Sequence, residues 1–401
     1  MKVKNVIIVC DYAYIEGGAA KVAINTAVSL AQNTELNVIF FAGCGKACSD
    51  LTDSNVTVVE LGLYDLLGNP SKINAMVKGI YNSLVYNKFN EIASKLDKSE
   101  TVVHIHTYTK VLTSAVFKAA QRAGIPVYVT VHDYFLACPN GGCFNYVKNE
   151  ICEIKPMSLK CILCNCDSRN YIYKIWRCVR QFKQNSVIRK NHNINYVYIS
   201  EFSKKQLQRR MPAVKNEYML KNLIECGERF RVKAEENEIF LFIGRVSAEK
   251  GAELFCKAVA KAGVNAVVIG DGSIKERLQQ QYADITFTGW LDKSKINEWI
   301  AKARCLIFPS LWYEGAPLTV LEAQAYGIPC IVTDCCAASM YVTEKNGFVV
   351  KAEPERIAEA MNKFNDNNIV KAFSENTYAS FDEKRCSEEI YVRNLIEIYN
   401  G

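Results

Sequence analysis

At 401 residues the chain is too long for one ordinary domain and is sized for two of roughly 200 residues each. Its 49% hydrophobic and 23% charged residues, with no low-complexity tract, exclude a disordered or fibrous chain. The net charge of +7 is modest for this length and unevenly spread. No stretch reaches the roughly 20 apolar residues needed to cross a bilayer. The short apolar run 6–10, cut off by Asp11, is not a signal-peptide core, so a cytoplasmic location is expected, with at most contact at the inner face of the membrane. Seventeen cysteines are an odd number, and Cys10, Cys256, Cys305 and Cys330 fall in apolar runs. That usage suits reduced thiols in a core rather than a secreted disulfide framework.

Apolar, β-branched-rich runs at 6–10, 38–41, 56–61, 102–106, 127–132 and 196–199 alternate with helix-length amphipathic stretches. The rhythm resumes at 240–243, 266–269, 285–288, 305–308 and 330–333. Near-continuous hydrophobicity marks strands buried on both faces, and the alternation predicts two doubly wound α/β domains, each with a parallel sheet. The expected boundaries are 1–224 and 239–380, joined by the polar stretch 225–238. The remaining 381–401 ends in a helix able to pack back on the first domain.

Residues 11–20 join the first strand to the first helix, and Gly17 and Gly18 let a ligand approach the backbone with no Cβ in the way. There is no G-x-G-x-x-G, so a nicotinamide dinucleotide loses its main support. His132 and Asp133 follow the strand at 127–131, at the sheet edge where open α/β folds place ligands. His132 reads either as a ligand contact or as a loop histidine bonded to local backbone, while His104 and His106 read as structural. A cysteine-rich insert over about 134–170 holds Cys138, Cys143, Cys152, Cys161, Cys164 and Cys166, with Cys178 just beyond it. Structural zinc, free thiols in a packed loop and a redox role are all open there. From 169 to 200 the chain has seven Lys or Arg and no Asp or Glu, interleaved with Tyr171, Tyr173, Trp176 and Phe182. The stretch 169–190 suits either a core helix with solvated cations or a helix lying on an anionic membrane surface; nucleic acid is not expected.

In the second half, a strand ending at Gly244 feeds Arg245 and Lys250 into a loop before a helix, so both cations can reach one diphosphate. Gly270 and Gly272, and then Gly289 and Leu291, occupy two further strand-to-helix loops. In the segment 308–329 a strand ends at Phe308, Pro317 suits a first helical turn, and Gly327 with Pro329 stops the helix. Glu314 precedes that helix and Glu322 lies inside it, so two carboxylates flank a helix start that favours a phosphate.

Glu314 and Glu322 match the E-x7-E element of retaining family 4 glycosyltransferases, and the chain resembles that family over nearly its whole length. The run 242–251, with its Gly-Arg and Lys-Gly pairs, is similar to the family's first C-terminal loop, and 268–273 and 287–292 resemble the next two. The resemblance implies the GT-B fold, two Rossmann-like domains facing each other across a cleft. It implies transfer of a sugar from a UDP- or GDP-sugar to a glycan or lipid-linked acceptor, as in capsule, O-antigen or exopolysaccharide synthesis, with no cofactor required for catalysis. His132 and Glu314 would be catalytic. Gly17, Gly18, Arg245, Lys250, Gly270, Gly289, Leu291, Glu314, Gly315, Ala316, Leu318, Thr319 and Glu322 would hold the donor. Cys138, Cys152, Cys161 and Cys164 resemble four cysteines that some members carry, candidates for a structural zinc. A nucleotide-sugar 2-epimerase and a non-catalytic nucleotide-sugar-binding protein share the architecture and stay open as alternatives.

Overall fold

The apolar runs pair in parallel, in two separate sheets. The structure, a computed structural model, describes residues 2–208 and 210–401. They form two units: unit 1 holds 1–142, 153–223 and 387–401, and unit 2 holds 143–152 and 224–386.

In unit 1 the strands are β1 (Asn5–Tyr12), β2 (Asn37–Cys44), β3 (Thr57–Leu63), β4 (Thr101–Ile105), β5 (Val127–Val131), β6 (Ile194–Tyr198) and β7 (Asn216–Met219). Their spatial order is β3-β2-β1-β4-β5-β6-β7. Register follows the apolar runs: Val6 lies opposite Val38 on one side and Val102 on the other. The helices that matter below are α1 (Gly18–Asn33), α2 (Lys72–Ile80), α3 (Leu159–Leu163) and α4 (Tyr171–Ile188).

Unit 2 contributes β8 (Ile239–Ile243), β9 (Ala266–Ile269), β10 (Thr286–Gly289), β11 (Ala303–Phe308), β12 (Cys330–Thr333) and β13 (Gly347–Val350), in the order β10-β9-β8-β11-β12-β13. Between them lie α5 (Ala252–Ala262) and α6 (Leu318–Ala325). All strand pairs in both sheets are parallel, so every connection is a crossover and the loops at the strands' C-terminal ends lie along one edge. The strands with no clear apolar run, β7 and β13, sit at sheet edges and are only partly buried. Edge position removes the need for two apolar faces, and with it the sequence signal.

The stretch 225–238, expected to link the domains, folds into unit 2: Val232 and Ala234 are buried in its core, and Arg229 stacks on Tyr378 and Phe381 at 4.5 and 4.8 Å. Cys226 and Cys386 form a disulfide, which the reading of the cysteines as reduced thiols did not include. The antiparallel hairpin pairing Phe144–Asn145 with Glu150–Ile151 groups with unit 2, so the cysteine-rich insert is divided between the units. No helix among the described residues is long and apolar enough to cross a membrane.

The last helix, α7 (Glu388–Asn400), belongs to unit 1 and packs on α1. Tyr391 is buried with its hydroxyl 2.8 Å from Thr26 Oγ1, Ser29 Oγ donates to Glu388 at 3.0 Å, and Tyr399 Oη lies 2.6 Å from His104 Nδ1. Truncating a buried aromatic removes its packing and leaves a cavity. Tyr391→Ala should lower the unfolding free energy of unit 1 by about 3 kcal/mol in urea denaturation; a loss under about 1 kcal/mol would mean that α7 is not an integral part of the unit.

Candidate functional site

In unit 2 two loops are stapled together. β8 ends at Ile243, and the loop that follows reaches α5 through Gly251, whose φ of 73° lies in the left-handed region. A Cβ at Gly251 would run into the Pro309 carbonyl, so a side chain there is excluded both by space and by backbone conformation. Leu311 N–H donates to Glu249 O at 2.9 Å, tying the loop after β11 to the same place.

Lys250 is thereby held against Glu314: its Nζ forms an ion pair with the carboxylate, 5.2 Å above the Trp312 ring. Trp312 Nε1 donates to Glu314 Oε1 at 2.5 Å and Ser310 Oγ at 3.4 Å. Ala337 N–H donates to the Glu314 carbonyl at 3.1 Å, fixing the backbone on its other side. Gly315, Ala316 and Pro317 lead from there into α6, which carries Leu318 and Thr319 in its first turn. No side chain caps that turn and no acid sits in it, so its N–H groups are suited to an anion.

The other predicted donor residues surround this pair unevenly. Arg245 is half exposed and bonded to the buried Glu249 at 3.0 Å. Glu322 is buried on α6 and paired at 2.7 Å with Lys293, at the start of the helix Lys293–Ala301. Lys293 and Glu249 were missed from sequence: Lys293 lies 29 residues from Glu322, and Glu249, four residues from Arg245, lies with it in a loop rather than on a helix face. Gly270 and Gly272 have a packing reason: a Cβ on either would strike the backbone carbonyl of Gly244 or Val246. Gly270 N–H donates to Gly289 O at 2.8 Å, so three strand-to-loop junctions stack against each other. Leu291 packs on the unit's core, whereas its neighbour Trp290 is 75% exposed.

Unit 1 holds a second constellation where β1, β4 and β5 end. Gly17 and Gly18 open α1 with nothing within 4 Å of where a Cβ would stand, so packing within the protein does not call for glycine at either position. Asp11 is buried and accepts the backbone N–H groups of Lys110, Val111 and Leu112 at 2.9, 2.9 and 3.0 Å. His132 Nε2 lies 2.9 Å from His106 Nδ1, and both line a small cavity with Thr109, Thr130, Asp133 and Leu136. His104, deeper in the sheet, is held by Tyr399 and Thr130 at 2.6 Å each. Burial lowers the pKa of His104 and of His132 to about 3 and that of His106 well below its ordinary value. Burial also lifts Asp133 to about 6.

Zinc on Cys138, Cys152, Cys161 and Cys164 finds no support in the geometry. Among the described residues no three Cys, His, Asp or Glu side chains stand where a metal could be held. Cys138, Cys161 and Cys164 belong to unit 1 and Cys152 to the hairpin in unit 2. The fully buried Lys174 places its ammonium 3.6 Å from Cys161 Sγ, and a cation among the thiols disfavours a second one.

The basic helix also differs from its reading. In α4, Lys174 and Arg180 turn inward, Arg180 donating to the carbonyls of Thr109 and Pro139, and Arg177 pairs with buried Asp167 at 2.8 Å. The outward stripe is apolar: Ile172, Ile175, Val179 and Phe182 are 37–73% exposed.

The family described as Glycosyl transferases group 1 matches residues 237–367, within unit 2. The UDP-Gal:alpha-D-GlcNAc-diphosphoundecaprenol alpha-1,3-galactosyltransferase of Escherichia coli is 24% identical over 300 residues, 70% of this chain and 71% of that protein. The lipopolysaccharide 1,6-galactosyltransferase of E. coli K12 is 30% identical over 154 residues, 35% of this chain and 43% of that protein. In fold, the sucrose-phosphate synthase of Thermosynechococcus elongatus superposes with a TM-score of 0.70 at 15% identity, over 99% of this chain and 98% of the other. HepE of Anabaena, solved with UDP and glucose, gives 0.68 at 14% identity over the full length of both.

The histidines predict a pH response. Their folded pKa values lie below the unfolded value of about 6.5, so their stabilisation is complete above that pH and is lost as pH falls towards 3. Asp133, raised instead, acts oppositely between about 4 and 6, but one carboxyl opposes three imidazoles. The melting temperature should therefore fall on going from pH 7.5 to pH 5, and His104→Gln should flatten that slope; a melting temperature independent of pH in this range would contradict the assignment.

Proposed function

We propose that this chain, a glycosyltransferase with the GT-B fold, uses a UDP-hexose as donor and transfers the sugar with retention to a lipid-linked glycan acceptor in surface polysaccharide synthesis. The observation that carries the reading is the Lys250–Glu314 pair at the uncapped start of α6, inside the segment matched by the family. Two relatives are named as galactosyltransferases, one acting on a diphosphoundecaprenol-linked sugar, and HepE was solved with UDP and glucose.

In this proposal the diphosphate takes the place at the N-terminus of α6, where Lys250 and Arg245 balance its charge. Glu314 then accepts a hydrogen bond from a sugar hydroxyl and Glu322 from the ribose, with Lys293 steering the latter carboxylate. The bond from C1 to the phosphate oxygen breaks, and the acceptor oxygen bonds C1 on the same face. Its proton passes to the departing phosphate, so no carboxylate nucleophile is needed. This reading predicts that UDP-hexoses raise the melting temperature and GDP-mannose does not. Glu314→Gln should keep UDP binding and cut kcat by about 100-fold. Full activity in that variant would sink the proposal, and free sugar isomer formed without acceptor would favour the 2-epimerase.

An acceptor in a membrane requires the enzyme to reach it, and unit 1 has a face suited to that. Three neighbouring helices turn apolar side chains outward: Ile73, Met76 and Val77 on α2, Leu159 and Leu163 on α3, and the stripe on α4. Trp176 Nε1 donates to Met76 O and Tyr171 Oη to Ile162 O, at 2.9 and 3.0 Å, binding α2 and α3 to α4. Exposed Lys72, Lys78, Lys160, Arg169 and Lys183 rim the patch, and the acid inside it, Asp167, is buried and neutralised. A cationic rim repels a second copy of itself and fits anionic lipid. The chain should pellet with vesicles containing phosphatidylglycerol and not with pure phosphatidylcholine, and Phe182→Glu should abolish this; dimerisation through the face without vesicle binding would refute it.

A further inference from the structure

His106, which the sequence marks only as structural, is the neighbour that decides what His132 can do. Its ring sits at the end of β4, 4% exposed, with its own backbone N–H fixed on Val9 O at 2.9 Å. His104 packs against it, with ring centroids 4.3 Å apart, and His132 meets it edge to edge, with centroids 5.2 Å apart and 26° between planes. His106 Nδ1 is 2.9 Å from His132 Nε2, while His106 Nε2 is buried with no hydrogen-bonding partner.

All three imidazoles are neutral, so each carries one ring proton, and a contact between two ring nitrogens needs a donor and an acceptor. If His132 were the donor, the proton of His106 would sit on Nε2, leaving a buried N–H with nothing to bond. Orphaned buried N–H groups are rarer and more costly than an unmet lone pair. The other arrangement leaves only a bare lone pair on His106 Nε2, beside a polar cavity. We infer that His106 is a positioning residue: it donates from Nδ1 to His132 Nε2 and so locks His132 in the tautomer that carries its proton on Nδ1.

His132 then offers an N–H, not a basic nitrogen, to whatever occupies the cavity mouth. That suits hydrogen bonding to an oxygen of the substrate and is unsuited to removing a proton. The role in turnover rests on the proposed transfer, in which the leaving phosphate takes the acceptor's proton and no histidine base is required. The tautomer itself does not rest on it.

Nitrogen-15 histidine spectra at pH 7.5 test the inference without any assay of activity. In the wild-type protein His132 Nδ1 should show the protonated, pyrrole-type shift and Nε2 the bare, pyridine-type shift. His106→Asn, whose side-chain amide can still donate, should preserve that pattern. His106→Phe should give a mixture of His132 tautomers and lower kcat about tenfold, with KM for the UDP-hexose within about twofold. A pyrrole-type Nε2 on His132 in the wild type would overturn the inference, as would His106→Phe leaving both spectrum and kcat unchanged. Should the phenylalanine variant fail to fold, the wild-type spectrum and the asparagine variant decide alone. Should the protein lack activity on every UDP-hexose, the proposed function fails while the tautomer assignment still stands or falls on the spectra.

Discussion

The ion pair between Lys250 and Glu314 is the contact on which the candidate donor site depends. Each partner comes from a different strand-to-helix loop, and each side chain is largely enclosed, at 22% and 13% exposure. Neither charge is tolerated there alone, because an unpaired ion in a partly desolvated place is strongly unfavourable. The unliganded protein thus holds its carboxylate and its cation together at an uncapped helix start. In the proposed donor complex, a diphosphate would offer Lys250 a more negative partner and release Glu314 to a neutral hydroxyl.

That pair stands only because backbone approaches backbone closely around it. Gly251 against Pro309, Gly270 against Gly244 and Gly272 against Val246 leave no room for a Cβ, so three loops stack at van der Waals distance along one sheet edge. Gly17 and Gly18 in unit 1 are of another kind: the protein leaves the space beside them empty. Glycine is required in the first set by the chain's own packing, whereas that packing does not call for it in the second.

How much of this was legible follows from which interactions are local. Strands buried on both faces write continuous apolar runs, so the interior strands of both sheets could be read, whereas the half-exposed edges at 216–219 and 347–350 could not. The placement of Glu314 before a helix and Glu322 within it was set by Pro317 and Gly327, which act on their own neighbours. Partners distant in sequence left no trace: Lys293 for Glu322 and Cys386 for Cys226. The helix Tyr171–Ile188 misled for a related reason. Composition showed its cations but not that Lys174 and Arg180 point inward, which turns a basic face into an apolar one with a basic rim.

The two constellations divide the chemistry by charge. Unit 2 gathers cations and a helix start suited to a diphosphate, while unit 1 keeps three histidines neutral and one of them hydrogen-bonded at its far nitrogen. The most direct measurement is a crystal structure of the protein with UDP bound. The account predicts the diphosphate at the first turn of Leu318–Ala325, with Lys250 turned from Glu314 onto a phosphate oxygen. UDP bound elsewhere, or bound there with the Lys250–Glu314 pair unchanged, would contradict it.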